Sequence, residues 1–537
     1  MGGINMGSPM TKFWRRGEPF VWATGLTLSI IISMTALLLY VVITNGIGVF
    51  WPQRLVQLTM NDGSSQLGEL VQEENATSHG PRLQLRIGNR ELYGLDFTWV
   101  SGAEVGSRSY PEGAYAIERM EYGNFYGFLK EVHGPELTAA GVEQTLDQAR
   151  QRVASLLTDQ HRINARFSSL NSASEKIDQK IARYRYQGIA ENDPRVEALR
   201  QEGEALKATF AELVSEGEHS KEALANYYGV FETADKRESK ILIANIVRLY
   251  QPNRMSFTQK IGHYGEKLAE LFLADPRESN TEGGLFPAIF GTVTLVLLMS
   301  ILSFPLGVIA GIYLREYAHE GVLVKIVRIA VNNLAGIPSI VYGIFGLGFF
   351  VYGIGGALDQ LFFPERLPTP TFGTGGLLWA SLTLGLLTIP VVIVATEEAL
   401  GSIPPSIREG SLALGATRFQ TLTRLLLPMA SPGIMTGFIL AMARAAGEVA
   451  PLMITGVVKL APALPIDGQF PFFHLNRKFM HLGFHIYDIG FQSPNVEAAK
   501  PMVYVTTLLL ILIVLTLCSL AIHFRNKMRR RYAIADV

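Results

Sequence analysis

Two oppositely charged residues lie four positions apart inside one apolar stretch of the sequence. Arg444 and Glu448 fall in SPGIMTGFILAMARAAGEVAPLMITGVV, which otherwise has the composition of a membrane helix. An ionised side chain at the centre of a bilayer costs about 2.5–3.5 kcal/mol on insertion scales, so such residues face protein, water or a ligand. The pair can therefore either neutralise itself or bind a charged solute.

Three interpretations of Arg444 and Glu448 are open from the residues alone. A structural pair at i and i+4 would lie on one helix face and neutralise itself inside a helix bundle. A substrate site would use the planar guanidinium, which stays charged and suits a tetrahedral oxyanion, while Glu448 keeps the anion from being trapped. A proton relay would require Glu448 to titrate.

The pair belongs to one of six apolar runs long enough to span a membrane. The runs lie at about 21–45, 285–314, 324–354, 375–396, 430–457 and 501–523. Basic residues precede the first run and follow the last, so the positive-inside rule places residues 1–20 and 526–537 in the cytoplasm. The sequence predicts an all-α polytopic membrane protein with six transmembrane helices, of which 283–525 holds helices two to six.

Residues 46–282 separate the first two runs and predict an insertion on the opposite, periplasmic side. Residues 52–280 carry 27 Lys and Arg against 33 Asp and Glu, a net charge of −6, while the rest of the chain carries +6. Alternating β-formers predict a small β-rich unit at about 52–130. Apolar residues at steps of three and four predict an antiparallel coiled-coil hairpin at about 137–250, which we interpret as a structural or docking arm.

The stretch 397–428 between the fourth and fifth runs is amphipathic and does not span. A helix can begin after Pro404 and Pro405 and end at Gly415, and a second short helix ends at Pro428. A helix–glycine–helix of this kind suits docking into a groove of another protein, although an ordinary interfacial helix would show the same pattern.

Glu409, Gly415 six positions later and the apolar run ending at Pro428 resemble the EAA loop of ABC-importer permeases. This chain has Gly410 and Ser411 where many members have alanines. The resemblance implies the type I ABC-importer permease fold and makes 397–428 the loop that couples to an ATPase subunit; we call it the coupling loop. The residues implied in that contact are Glu409, Gly410, Ser411, Ala413, Gly415 and Pro428.

Three segments, GGLFPAIFGTVTLVLL, AGIPSIVYGIFGLGFF and 413–456, resemble the permeases of the high-affinity phosphate importer, its A-type subunits in particular. The resemblance implies an inner-membrane subunit that conducts phosphate beside a homologous C-type permease, two ATPase subunits and a periplasmic phosphate-binding protein. It favours the substrate-site interpretation of Arg444 and Glu448. Pro338, Ser339 and Tyr342 are secondary pathway candidates, because a mid-span proline frees a carbonyl beside two hydroxyl donors; a packing kink is the alternative.

Other signals limit the function. No phosphate-binding loop of the form GxxxxGK[ST] occurs, so ATP must be used by a partner and no cofactor is expected on this chain. Cys518 is the single cysteine, and no nucleophile–base constellation indicates an enzyme. His481 and His485 have the spacing of two metal ligands, but an amphipathic surface helix is the preferred interpretation. An importer of another oxyanion and an envelope scaffold are the rival functions.

Overall fold

A computed structural model describes residues 17–76, 80–139, 141–468, 470–493 and 495–532. Within these residues, six helices are long and apolar enough to cross a membrane, as predicted. The remainder of the predicted cytoplasmic ends, 1–16 and 533–537, lies outside the described residues. The first to sixth spans run over Pro19–Gly48, Phe286–Tyr317, Ser339–Phe362, Leu377–Gly401, Arg418–Gly447 and Val496–Arg530.

Helix α1 (Glu18–Gly48) leads into an insertion built on two five-stranded antiparallel sheets. The first sheet, in the order β4-β3-β2-β1-β5, comprises β1 (Leu55–Met60), β2 (Ser65–Ala76), β3 (Gly80–Arg86), β4 (Phe97–Ser101) and β5 (Val105–Ser109), with helix α2 (Arg90–Tyr93) between β3 and β4. The second, in the order β10-β6-β7-β8-β9, comprises β6 (Tyr115–Arg119), β7 (Phe125–His133), β8 (Tyr228–Glu232), β9 (Glu238–Leu242) and β10 (Ile246–Tyr250).

Two long helices, α3 (Val142–Tyr186) and α4 (Pro194–Ala225), leave the second sheet between β7 and β8. Gly203 of α4 faces Ile177 of α3, and Gly217 faces Ile163, so the two helices run antiparallel. The buried positions of α3 at its sheet end follow the steps of three and four seen in the sequence: Leu146, Ala149 and Val153. We call this pair of helices the arm.

The helical pattern predicted to continue to about 250 is wrong beyond Ala225, where α4 ends. The segment from Tyr228 to Tyr250 forms three strands, because β8 pairs with β7 from Phe128↔Glu232 to His133↔Tyr228. That pairing satisfies the backbone hydrogen bonds of the segment from a strand far earlier in the chain. The spacing of apolar residues within 228–250 cannot indicate the pairing with β7.

The remaining helices form the membrane core with its connections. They are α5 (Phe257–Leu273), α6 (Phe286–Ile312), α7 (Val322–Leu334), α8 (Ser339–Phe345), α9 (Gly356–Phe362), α10 (Leu377–Gly401), α11 (Pro405–Ala413), α12 (Arg418–Thr421), α13 (Leu427–Gly447), α14 (Ala450–Thr455), α15 (Leu482–Tyr487) and α16 (Val496–Tyr532). π-helical turns extend α6 over Tyr313–Tyr317 and join α8 to α9 over Gly346–Gly355. A short ribbon, β11 (Pro276–Arg277) with β12 (Glu282–Gly283), precedes α6.

The fourth span, α10, is the centre of the core. Trp379, Leu384 and Leu387 are fully buried on it. A Cβ added at Gly307 or Gly311 of α6 would lie 2.7 Å from Val392 or Thr396 of α10, so the two backbones approach as closely as only glycine permits.

The third apolar run is divided in the structure. Its first part is the separate helix α7, which has no buried residue among those described, and the membrane span begins only at Ser339. The boundary between α7 and the span was not predicted, because hydrophobic residues continue across it. The apolar face of an amphipathic helix cannot be distinguished from a span when a span follows directly.

The insertion contacts the ends of three spans. The Tyr264 hydroxyl donates to the Ile47 carbonyl at 3.1 Å next to the first span, and the Asn495 amide donates to Asp96 at 2.5 Å beside the sixth. Directly before the second span, the Leu285 N–H donates to the Leu271 carbonyl of α5 at 2.8 Å.

The arm has a second contact with the membrane core, far from the sheet. Arg366, in the connection between the third and fourth spans, donates from Nη2 to Gln179 Oε1 of α3 at 2.8 Å. The same guanidinium donates to Thr371 at 3.1 Å. The arm therefore bridges from the sheet to a loop of the permease core.

Candidate functional site

The fifth span ends at the charged pair instead of continuing through it. Helix α13 ends at Gly447, and Glu448 has an extended backbone with φ −80° and ψ 128°. The cause lies in the sequence, because the ring of Pro451 clashes with the carbonyl four residues earlier, which is that of Gly447. The structural interpretation, in which both charges lie on one helix face, does not match this backbone. The run predicted to continue to about 457 is broken after Gly447, and the short helix α14 follows the break.

The break changes the electrostatics of Arg444. Its Nε lies 3.4 Å from Glu448 Oε1, and the side chains of Arg444 and Glu448 are 37% and 21% exposed. Arg444 sits in the last turn of α13, where the carbonyl ends of the helix favour a cation. The two charged side chains are thus in contact and partly exposed.

A second break lies on the neighbouring third span. Pro338 is the N-cap residue of α8, so the prediction of a proline in mid-span is wrong. The carbonyl four residues before Pro338 belongs to Leu334, where α7 ends. That freed carbonyl accepts a hydrogen bond from the Tyr342 hydroxyl at 2.7 Å.

The two breaks face each other. A Cβ added at Gly343 of α8 would lie 2.8 Å from Pro451 Cα of α14, so the helices pack backbone to backbone.

The secondary candidates differ in what they offer. The Tyr342 side chain is 3% exposed and its hydroxyl is engaged by Leu334, so it braces the break. Ser339 is half-buried at the first turn of α8, and Pro338 is exposed. Sequence reasoning missed Asn332 and Asn333, two exposed amides directly before Leu334; the signal was a polar pair inside an apolar run.

The coupling loop forms one short helix, a glycine turn and the first turns of the fifth span. The prediction that a second short helix ends at Pro428 is wrong, because the span runs from Arg418 through Pro428 to Gly447. Helix α11 begins with Pro405 and holds Glu409, Gly410, Ser411 and Ala413. Gly415 has φ +88°, a conformation that residues with a side chain rarely adopt, and its N–H donates to the Leu412 carbonyl at 3.0 Å.

The second half of the loop is fixed to the first. The Ser411 hydroxyl lies 2.9 Å from that of Thr421, and Thr417 caps α12 in a reciprocal bond with Gln420. Pro428 lies in the first turn of α13. The loop therefore has a defined shape, held by its own hydrogen bonds.

The loop exposes apolar side chains to solvent in this chain. No residue of α11 is buried among those described, and Leu414 is 91% exposed. Phe419 is 66% exposed on α12, a feature that sequence reasoning missed. Exposed apolar side chains beside a carboxylate are typical of a docking surface.

The two histidines lie elsewhere and do not form a surface helix, so that interpretation is wrong. His481 and His485 are 0% and 2% exposed, because their segment packs on the second span, where Leu482 N–H donates to Thr292 at 2.9 Å. Burial lowers the pKa of each imidazole to about 4. Among the described residues, no group of three metal-binding side chains converges.

Comparison with known proteins identifies the family. Residues 303–531 match the family described as binding-protein-dependent transport system inner membrane component. The phosphate transport system permease protein PstA of Yersinia pestis is 34% identical over 258 residues, which cover 48% of this chain and 77% of that protein. This chain belongs to the ABC-transporter permease family.

Two further permeases and one solved transporter chain are similar to this chain. The probable ABC transporter permease protein YqgI of Bacillus subtilis is 32% identical over 223 residues, covering 40% of this permease and 70% of that one. YqgH of the same organism is 35% identical over 195 residues, covering 36% of this permease and 59% of YqgH, which is less than two thirds of it. A chain of the inward-facing MetNI methionine ABC transporter superposes with a TM-score of 0.34 at 19% identity, covering 45% of this permease and 95% of that chain.

The family sets the coarse function. The permease is a multi-pass transporter subunit of an ABC importer, and ATP hydrolysis belongs to a separate subunit. Permeases of this family work with a partner permease, ATPases and a periplasmic binding protein.

Proposed function

We propose that this permease is the A-type transmembrane subunit of an ATP-driven phosphate importer and forms half of the translocation pathway. The observation that carries the proposal is the partly exposed Arg444 at the broken end of the fifth span. The names of its relatives, several of them phosphate transport permeases, support phosphate as the substrate.

Arg444 and Glu448 have complementary roles in the proposal. The guanidinium donates hydrogen bonds to phosphate oxygens in a planar fork and carries its charge at any physiological pH. Glu448, 3.4 Å away, competes for the same guanidinium and keeps the anion from being held too tightly. Ser339 supplies a further hydroxyl, while Pro338 and Tyr342 hold the break open.

The coupling loop docks into the ATPase subunit in this proposal. Glu409, Gly410, Ser411 and Ala413 provide the contact on α11, and Gly415 and Pro428 set the turn and the start of the next helix. ATP-driven closure of the two ATPase subunits displaces the loop and swings the spans, so that the site opens alternately to each side.

The proposed setting is the bacterial inner membrane. Both termini lie in the cytoplasm with the coupling loop, and the insertion lies in the periplasm, as the basic residues at both ends indicate. A homologous C-type permease completes the pathway, and a periplasmic phosphate-binding protein delivers the anion. We infer that the arm, which contacts the connection at Arg366, binds that protein or the cell envelope.

Uptake of labelled phosphate tests the proposal. Cells that lack their own A-type permease receive this chain or Arg444→Ala, with its partner subunits, at matched membrane levels. We expect uptake with the intact chain, loss in the variant, and no competition by excess sulfate, molybdate or phosphonate. Absence of phosphate uptake together with uptake of one of those anions would assign another oxyanion, and full phosphate uptake in the variant would reduce the pair to a structural role.

A further inference from the structure

The end of the second span that lies next to the coupling loop is held by two arginines from two different elements. This end is the π-helical turn Tyr313–Tyr317. π-helical turns interrupt the regular hydrogen-bond ladder and are frequent at functional sites. Arg408 reaches the turn from the coupling loop, and Arg328 reaches it from α7.

Arg408 joins the coupling loop to two spans at once. Its Nη2 donates to Glu316 Oε1 at 2.7 Å and to the Leu400 carbonyl at 2.8 Å. Glu316 belongs to the second span, and Leu400 lies on α10, the fourth. The side chains of Arg408 and Glu316 are only 21% and 15% exposed, so solvent screens this ion pair weakly.

Arg328 continues the connection toward the anion site. Its Nη2 donates to the Leu314 carbonyl of the same turn at 3.1 Å, and its Nε donates to Glu397 of α10 at 3.2 Å. Arg328 lies on α7, whose last residue, Leu334, accepts the hydroxyl of Tyr342. Polar contacts at both ends of α7 therefore connect the coupling loop, through that helix, to the break that packs against Pro451 near Arg444.

We propose that Arg408 and Arg328 are positioning residues that transmit movement of the coupling loop through the Leu314–Glu316 turn to α7 and the anion site. The proposal rests on the function proposed above and deepens it. The planar guanidinium donates to two elements in fixed directions, so displacement of α11 moves the second and fourth spans together. Arg408 thus couples ATP hydrolysis to transport without touching phosphate.

The test measures phosphate transported per ATP hydrolysed by the complete complex in proteoliposomes. The variants are Arg408→Gln, Glu316→Gln and the exchanged pair Arg408→Glu with Glu316→Arg, and copurification of the ATPase reports assembly. Arg408→Lys keeps the positive charge but lacks the planar guanidinium. The matched control is Glu320→Gln, which removes an exposed carboxylate between the Tyr313–Tyr317 turn and α7.

We expect each single Gln variant to transport about tenfold less phosphate per ATP with the ATPase still bound, as loss of a hydrogen bond between charged groups predicts. The exchanged pair should transport more phosphate per ATP than either single Gln variant, because it restores an ion pair between the two positions. Arg408→Lys should lie between Arg408→Gln and the intact chain. Glu320→Gln should match the intact chain. Ratios within about twofold of the control in the single variants, or an exchanged pair that does no better than either of them, would overturn the linkage.

A second measurement separates this inference from the proposed substrate. Cys518 is the only cysteine, so Cys518→Ser permits spin labels at Ser406→Cys on α11 and Tyr317→Cys on the second span, both exposed positions. In the assembled complex we expect a narrow distance distribution that broadens in Arg408→Gln and narrows again in the exchanged pair. An unchanged distribution would overturn the linkage even if phosphate is transported; broadening in a complex that moves no phosphate would retain the linkage and reject phosphate.

Discussion

Glu448→Gln is the substitution that separates an anion site from a structural ion pair. Glu448 Oε1 lies 3.4 Å from Arg444 Nε, and both side chains are partly exposed. The amide keeps the size and the hydrogen-bonding shape of the carboxylate but removes its charge. If Glu448 competes with phosphate for the guanidinium, its neutralisation should strengthen phosphate binding and slow phosphate release.

The magnitude follows from the geometry. Two unit charges at this separation attract by about 5 kcal/mol at an effective dielectric constant of 20. Solvent screening of side chains that are 21% and 37% exposed lowers the net value to about 1–2 kcal/mol. A gain of that size tightens phosphate binding by about 5- to 30-fold. KM should fall, and the maximal rate should fall with it if release limits transport.

The assay is phosphate uptake over a range of concentrations in proteoliposomes that contain the complete complex. Glu497→Gln serves as the control, since that carboxylate lies in the first turn of α16, paired with Lys500 and away from the site. A rise in KM in Glu448→Gln, or unchanged KM and maximal rate, would refute the competition between Glu448 and phosphate.

Three further outcomes are expected. Gly343→Ala should cost about 1–3 kcal/mol by overpacking against Pro451 and lower uptake, whereas Gly348→Ala, with open space around it, should not. Gly415→Val should weaken binding of the ATPase subunit by at least about 1 kcal/mol, because a β-branched residue is strained at φ +88°. Gly415→Asn should retain most of the binding, and copurification of the ATPase subunit measures both. The folded protein should lose stability as the pH falls from about 6.5 to 4. In that range the unfolded histidines take up protons, while buried His481 and His485, with pKa values of about 4, do not. The melting temperature should vary less with pH in the double variant His481→Gln with His485→Gln, and the same pH dependence in that variant would contradict the role of the two histidines.

The spans and the glycine turn of the coupling loop could be predicted because their signals are local. A run of apolar residues specifies a span without knowledge of its partners. Gly415 precedes a capping sequence, Thr417 to Gln420, that begins a new helix. The special position of Arg444 was likewise evident from the cost of its charge in an apolar segment.

The break after Gly447 was missed, although its signal was present, whereas a break at Pro338 was predicted and placed in mid-span. Pro451 and Pro338 each end a helix four residues earlier, at Gly447 and Leu334. The apolar residues around Pro451 gave no change in composition, so the fifth run appeared continuous. Applying the steric rule to Pro451, as to Pro338, would have located that break.

Other features could not be predicted because they depend on distant partners. The strands at 228–250 exist through pairing with β7, and the burial of His481 and His485 depends on packing against the second span. The Arg408–Glu316 contact joins the coupling loop to the second span. A single sequence shows none of these proximities.

The placement of the arm has a consequence for how such proteins can vary. Because His133 and Tyr228 are already paired in the sheet, the two helices emerge from a closed base that does not depend on their length. The contact at Arg366 does depend on the length of the helices, because Arg366 binds one particular side chain of the arm, Gln179. Removal of one heptad from each helix would shorten the reach by about 10 Å and leave the sheet intact, but it would present a different residue to Arg366. Arm length can therefore change only in steps that the facing loop accommodates.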